Sequence, residues 1–404
     1  MKIDVMRQLD AWAGKPLCFF ATLAERLRGL FHRSPPGVGE RLLIIKLSEQ
    51  GAIIMLGESL RHLQQAYARD KIWVLAFEES RPILNVTGLV PEENIITIST
   101  GSLGGFLVTT LQALRHIRRL RMDAVLDLEF FSRASALLAW LSGARRRTGV
   151  HAYYGEGPWR GQLMTHGVKF NPHLHISRMF LALAEAAILR ENTLQRLEFT
   201  PPPLESLHEQ FTPTPEEPQR VDSLLRDCGW KEGERLILLN PNTSDRELIP
   251  LRRWDEKNYI ELGRLILADS KDVRILLTGG PKEAAAVAKL EPAIDANRCR
   301  SVAGRTSMRE LLALYRRSAL MVTNDSGPAH FAALTELPVV VLFGPETPQL
   351  WKPLGKHVHV VHRGLACSPC FSIYNGRRSG CRRNACMDMT PEEVFAVVKK
   401  ALLS

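Results

Sequence analysis

Two series of short apolar runs, alternating with stretches of helical spacing, constrain this chain more than any other feature. The first series holds RLLIIKLS (41–48), KIWVLAF (71–77), NIITIS (94–99) and DAVLDLE (123–129). The second holds RLILLNPN (235–242), VRILLTGG (273–280), ALMVTND (319–325) and PVVVLFG (338–344). Strands that alternate with helices build a parallel, doubly wound sheet. At 404 residues the chain is too long for one ordinary core, so each series is expected to fold as its own domain. The expected fold class is α/β: two Rossmann-like doubly wound domains facing a cleft, with a ligand between them.

TPPPLESLHEQFTPTPEEPQ, residues 200–219, is rich in Pro and Glu and reads as the linker. The expected division is 1–36 as an amphipathic helical segment, 37–199 as the first domain, 220–390 as the second and 391–404 as a C-terminal helix. Within 5–33, apolar residues recur at helical spacing: Leu17, Phe20, Ala24, Leu27, Leu30 and Phe31. Arg26, Arg28 and Arg33 flank them, and SPPGVGE (34–40) breaks the pattern. This helix either packs on the body of the protein or lies on a membrane surface. No run is long enough to cross a bilayer, which takes about 20 apolar residues. The N-terminus does not read as a secretory signal.

The formal charge is +10, a balance that suits anionic partners such as nucleic acid, lipid headgroups or phosphorylated substrates. Aromatic residues make up only 7%, and no zinc finger or aromatic–basic motif is present, so nucleic acid is not the expected partner. Seven cysteines, with Cys18, Cys228 and Cys299 scattered, fit a reducing cytoplasm better than a secreted disulfide framework. Cys367, Cys370, Cys381 and Cys386 cluster with spacing C-x2-C-x10-C-x4-C. Four thiolates suit tetrahedral zinc or iron; reduced thiols and disulfides are the alternatives.

In open parallel sheets, ligands sit beyond the carboxyl ends of the strands. Four polar turns of the second series lie there: NPNTS (240–244), TGGPKE (278–283), NDSGPAH (324–330) and FGPETP (343–348). In NDSGPAH, Pro328 suits the first turn of a helix. Ser326 and Gly327 would then offer amides at that helix's N-terminus to an anion, with His330 as a further donor. A plain N-cap by Asp325 or Ser326 is the competing reading.

GRTSMRELLALYRRSALMVTNDSGPAHFAALTELPVVVLFGPETPQLWKP, residues 304–353, resembles the signature of glycosyltransferase family 9, the ADP-heptose:lipopolysaccharide heptosyltransferase group. RLLIIKLSEQGA and DLEFFSRASALLAWLSGARRRTGV are similar to that family's first strand and a later first-domain segment. The resemblance spans roughly residues 41–400 and implies a bacterial enzyme of GT-B fold. The acceptor would bind the first domain and a nucleotide-diphosphate-sugar the second, with sugar transfer by inversion. It implies donor contacts from Asp325, Ser326, Gly327 and His330, phosphate-side hydroxyls from Thr243 and Ser244, and the nucleoside end at Glu283. Arg252 stands where the family often has a Lys before Trp, and would neutralise charge on the leaving diphosphate.

The family commonly carries an Asp as general base where this chain has Ala52. Glu49 in the same turn, or Asp127 or Glu129 after another strand, could replace it. A silent nucleotide-sugar-binding protein is the alternative; an epimerase of similar fold fits the motifs less well. Arg115, Arg118, Arg119 and Arg121, with Arg145–Arg147, could meet phosphates of a lipid-linked or surface-glycan acceptor. The resemblance implies no cofactor for transfer and a cytoplasmic place, peripheral on the inner membrane.

Overall fold

The four apolar runs of the first series become β1 (Leu42–Ile45), β2 (Ile72–Phe77), β3 (Ile95–Ile98) and β4 (Ala124–Asp127), joined by β5 (Arg146–Val150) and β6 (His166–Val168). They form one parallel sheet in the order β3-β2-β1-β4-β5-β6. The second series gives β7 (Arg235–Asn240), β8 (Val273–Leu277), β9 (Cys299–Ser301), β10 (Leu320–Asn324), β11 (Val339–Phe343) and β12 (Val358–His362). Its order, β12-β11-β10-β7-β8-β9, is the same winding read from the other edge. Each sheet therefore has one point where the chain reverses direction across the sheet: β1 beside β4, and β7 beside β10. Crevices for ligands open at such points.

The computed structural model describes residues 3–29, 37–153, 155, 157–189, 200–201, 211–243, 251–376 and 379–403. The described residues up to 201, with 373–376, form one unit, and the remaining described residues form another. β1, β2 and β4 are buried along their whole length, as apolar runs without alternation require.

One face of the first sheet is covered through a core of Leu43, Ile45, Leu75, Ile98 and Val125. Three helices reach that core: Ile3–Trp12 through Met6, Leu103–Leu120 through Ala113 and Ile117, and Arg133–Leu141 through Leu138 and Ala139. Ser102 starts the long Leu103–Leu120 helix by accepting the Gly105 amide at 3.0 Å, a standard N-cap.

In the second unit the core contains Trp254 and Tyr259, both fully buried. The helix Pro391–Ala401 contributes Val394 and Val398 to that core. It begins with a Thr390–Glu393 capping box, which satisfies two orphan backbone donors at once. The helix Glu216–Asp227 starts inside the expected linker; residues 202–210 of that linker lie outside the described residues.

The run Arg145–Arg147 differs from its expected role. Arg146 and Arg147 lie on β5 and are buried. The Arg146 guanidinium donates to the carbonyls of Ala187 at 2.8 Å and Ala186 at 3.2 Å, closing the C-terminal turn of the helix Ile176–Ile188. Arg147 donates to Leu163 O, to Ala144 O and to Glu25. Neither guanidinium is turned to solvent, where an acceptor phosphate would come. Of the expected cations, Arg115, Arg118, Arg119, Arg121 and Arg145 are exposed.

Candidate active site

At the reversal point of the first sheet, β1 runs on into Lys46, Leu47, Ser48 and Glu49. β4 ends at Asp127, and the Leu128 amide bonds Ile45 O at 3.0 Å, which keeps the two strand ends together. Lys46 is 1% exposed. Its Nζ donates to Ser48 O at 2.7 Å and to Glu129 Oε1 at 2.9 Å, and lies 3.6 Å from Glu49 Oε2. The Ser48 amide also donates to Glu129 Oε1, at 2.9 Å. A buried ammonium thus ties two carboxylates from adjacent strand ends.

The two carboxylates differ. The Glu129 side chain is 14% exposed and shares a short bond with Lys46; the Glu49 side chain is 32% exposed and stands off at 3.6 Å. Glu49 holds φ 66°, ψ 78°. A side chain other than Gly in the left-handed region costs free energy, and such strain gathers at functional positions. The short helix Gln50–Ile54 follows at once, and Ala52 within it is buried.

Asp127 plays another part. Its carboxylate is 1% exposed. It pairs with Arg160 Nη1 at 2.8 Å, accepts the Ser135 hydroxyl at 2.9 Å and accepts the Glu129 amide at 3.0 Å. Burial pushes its carboxyl above the ordinary range, while Arg160 and these donors pull it back. Both oxygens are engaged inside the protein, so the placement argues against the proton-acceptor role and for anchoring the end of β4.

At the reversal point of the second sheet, Asn324 ends β10 and is fully buried. Its Nδ2 donates to Pro241 O at 3.0 Å and its Oδ1 accepts the Trp254 amide at 3.0 Å. One side chain therefore fixes the turn after β7 and the segment carrying Arg252. Asn240, at the end of β7, donates to Thr278 Oγ1 at 3.0 Å, tying in the TGG turn.

Arg252 Nη1 lies 3.2 Å from Asp325 Oδ2, with side chains 13% and 4% exposed. Ser326 precedes the helix Gly327–Phe331, which carries Pro328 in its first turn. Its hydroxyl makes no cap bond; it donates to Asn324 O at 3.1 Å. That helix has five residues, too few for a large macrodipole, so an anion held there would depend on the local amides of Ser326 and Gly327 and on Arg252. Thr243, three residues past the end of β7, and His330, within this helix, are buried; Ser244 lies outside the described residues. Glu283 accepts the Gly280 amide and so closes its own turn.

The Phe343-Gly344-Pro345 turn is held from behind by the cysteine segment. Ser368 Oγ donates to Gly344 O, and the Phe371 amide donates to Pro345 O at 2.9 Å. A Cβ on Gly344 would stand 2.3 Å from Met387 Sδ and 3.3 Å from Cys386 Sγ, so only Gly allows this approach. Cys386 is buried, Cys370 half-buried, and Cys367 and Cys381 exposed. Burial pushes the Cys386 thiol up to about 11, and the neighbouring cysteines push the same way. Among the described residues no group of three or more His, Cys, Asp or Glu side chains is placed to hold a metal ion. The expected zinc or iron site at the four cysteines thus has no support among the described residues.

The family model described as glycosyltransferase family 9 (heptosyltransferase) matches residues 111–377. The chain belongs to glycosyltransferase family 9. It is therefore a glycosyltransferase, and its two sheets are those of the GT-B fold. It is similar to lipopolysaccharide heptosyltransferase 2 of Escherichia coli K12, 24% identical over 381 residues, covering 90% of this chain and 99% of that protein. The corresponding Salmonella typhimurium protein is 25% identical over 365 residues, covering 88% and 96%. Two solved structures share the fold. The E. coli ADP-heptose lps heptosyltransferase II has a TM-score of 0.67 at 23% identity, covering 90% of this chain and 98% of that one. A family 9 transferase from Veillonella parvula has 0.68 at 18%, covering 92% and 99%.

Reading the sequence of this family 9 member missed Lys46, Arg160 and Asn324. Each is a polar residue at or near the end of an apolar strand, or a lone cation in a loop. The signal for Lys46 and Asn324 was present: a charged or amide side chain where an apolar run meets its turn.

Proposed function

We propose that this glycosyltransferase moves a heptose from ADP-heptose to a lipopolysaccharide-core acceptor, with inversion. The relatives' names supply heptose and lipopolysaccharide, and the similar E. coli structure's description supplies ADP-heptose. The observation that carries the donor side is the Arg252–Asp325 pair beside Ser326 and Gly327 at the β7–β10 reversal point. In this reading Arg252 faces the diphosphate and Asp325 holds the guanidinium in place. Asp325 is then a positioning residue, since a carboxylate would repel phosphate. Ser326, Gly327, Thr243, Ser244 and His330 complete the donor contacts, and Glu283 keeps its turn closed.

Glu49 is the proposed base, in the first unit, which takes the acceptor. The acceptor hydroxyl oxygen attacks the anomeric carbon as its proton passes to Glu49. The bond from that carbon to the diphosphate oxygen breaks, and its electron pair stays on the diphosphate, where Arg252 offsets the charge. Lys46 keeps Glu129 and Glu49 together at the adjacent ends of β1 and β4. The four cysteines act as reduced thiols that back the Gly344 turn; one equivalent of metal in the reduced chain would overturn that.

The enzyme works on the cytoplasmic side, with the N-terminal segment resting on the inner membrane. Among the described residues no helix is long and apolar enough to cross a membrane. Buried Ala52 in the usual base position favours one rival reading, a silent nucleotide-sugar binder. Calorimetry with ADP on wild type and Arg252→Ala tests the donor site: about tenfold or greater loss is expected, since a charge-assisted contact contributes about 1.5–3 kcal/mol. Unchanged ADP affinity would remove Arg252 from the site. Tight ADP-heptose binding with no product from any core acceptor would favour the silent binder.

A further inference from the structure

The helix Gly14–Gly29 is built inside out. Its buried residues are Gly14, Cys18, Ala21 and Thr22, all small. Cys18 and Ala21 meet Ala136 of the helix Arg133–Leu141 and Leu163 of a later loop. At Gly14 the approach is so close that a Cβ would lie 2.8 Å from Arg133 Cβ. The bulky apolar residues, whose spacing suited either packing on the body or a membrane surface, point outward. Phe20 is 64% exposed, Phe19 58%, and Trp12 on the preceding helix 82%. The segment packs on the body through its small residues and presents apolar side chains outward.

A second helix does the same. Leu103–Leu120 buries only Ala113 and Ile117, and leaves Leu103, Leu107, Val108 and Leu111 each more than half exposed. Its C-terminal half continues the surface with exposed Arg115, Arg118 and Arg119. The helices Ile3–Trp12 and Leu103–Leu120 cover the same face of the first sheet, because Met6 and Phe106 pack on one core cluster. Among the described residues, every exposed large apolar side chain except Leu403 lies on these three helices or is Trp159. Trp159 lines an apolar groove with Phe19 and Phe20, and Lys15 stands beside it.

The charges on this side are sorted as well. Asp10 accepts the Ala134 amide at 2.7 Å and lies 3.4 Å from Arg133. Glu25 accepts from Trp140 Nε1 at 2.9 Å and pairs with Arg147. Asp10 and Glu25 are thus engaged inward, and Leu103–Leu120 carries no acid. Lys15, Arg26, Arg28, Arg115 and Arg119 remain exposed.

From this geometry we infer that one side of the first unit, made jointly by Gly14–Gly29, Leu103–Leu120 and Trp159, is a docking surface for an anionic lipid bilayer. The inference rests on the membrane reading of the N-terminal segment and extends it to a second helix far along the chain. Aromatic and leucine side chains enter the headgroup boundary while the cations meet anionic lipids, the combination interfacial surfaces use. Neither helix needs to move, since both apolar faces are already outside.

The test is flotation of the full chain with vesicles of phosphatidylglycerol and phosphatidylcholine, and with phosphatidylcholine alone. Three proteins are compared: wild type, Phe19→Ser/Phe20→Ser and Leu107→Glu/Leu111→Glu. The exposed positions allow folding, checked by circular dichroism and ADP binding. Wild type should float with the anionic vesicles and less with neutral ones. Each double variant should lose at least about tenfold in partitioning. If only the Phe19/Phe20 variant loses binding, the N-terminal anchor stands and the joint surface fails. If wild type ignores vesicles and the variants instead shift its sedimentation from dimer to monomer, the face joins two copies and the inference is overturned.

Discussion

Replacing Lys46 by Met removes an ammonium that is 1% exposed and bonds two acceptors, Ser48 O at 2.7 Å and Glu129 Oε1 at 2.9 Å. Methionine is similar in length and flexible, so the cavity contribution is small. What remains is electrostatic. Breaking a buried ion pair from one side costs about 3–5 kcal/mol. Glu129 keeps the Ser48 amide at 2.9 Å and its side chain is 14% exposed, so the lower end applies, about 3 kcal/mol. Lys46→Met/Glu129→Gln should recover part of the loss, with a coupling of about 1–2 kcal/mol. Urea unfolding, read by hydrogen exchange at β1 and β4, measures both. A Lys46→Met cost under about 1 kcal/mol, the range of exposed pairs, or additive single effects, would refute the tether. ADP affinity, set in the other unit, should not change.

Two further outcomes follow from single side chains. Gly344→Ala puts a methyl against buried Met387 and should cost about 1–3 kcal/mol and weaken ADP binding, with Met387→Ala restoring both; a silent Gly344→Ala would mean that the turn has room. Burial depresses the His166 imidazole to about 4, with Arg146 adding to the effect, and no partner is seen for Nε2. The fold therefore prefers neutral His166: its contribution is complete above pH 6.5 and is lost as pH falls toward 4, up to about 3 kcal/mol. In His166→Leu this part of the acid loss should vanish, and an unchanged acid-unfolding curve would contradict it.

The sheets were legible because the relevant pattern is local. Runs such as LLII and VVVLF, with turns between, do not depend on which strand neighbours which. The site was legible only in part, because the order of strands decides what meets. Lys46 and Glu129 are far apart in the chain and become neighbours only when β4 pairs with β1. Asn324 likewise reaches Pro241 and Trp254 through the β7–β10 pairing. Asp127 looked available as an acid at a strand end; nothing in its neighbourhood in sequence announces Arg160, which arrives from a later loop. The N-terminal helix shows the converse. Leu17, Phe20 and Leu27 of its apolar stripe are all exposed, because which side is inward depends on Gly14, Cys18 and Ala21 fitting against a specific helix, and periodicity carries no sign.

The central claim is that this family 9 transferase carries out its reaction with Glu49 in place of the missing Asp. Transfer from ADP-heptose to a heptose-accepting core, measured as ADP release coupled to product mass for wild type and Glu49→Gln, tests it most directly. The account predicts a fall in kcat of about 10²–10⁴-fold, the usual contribution of a general base, with ADP affinity unchanged. A Glu49→Gln enzyme that turns over like wild type would contradict it.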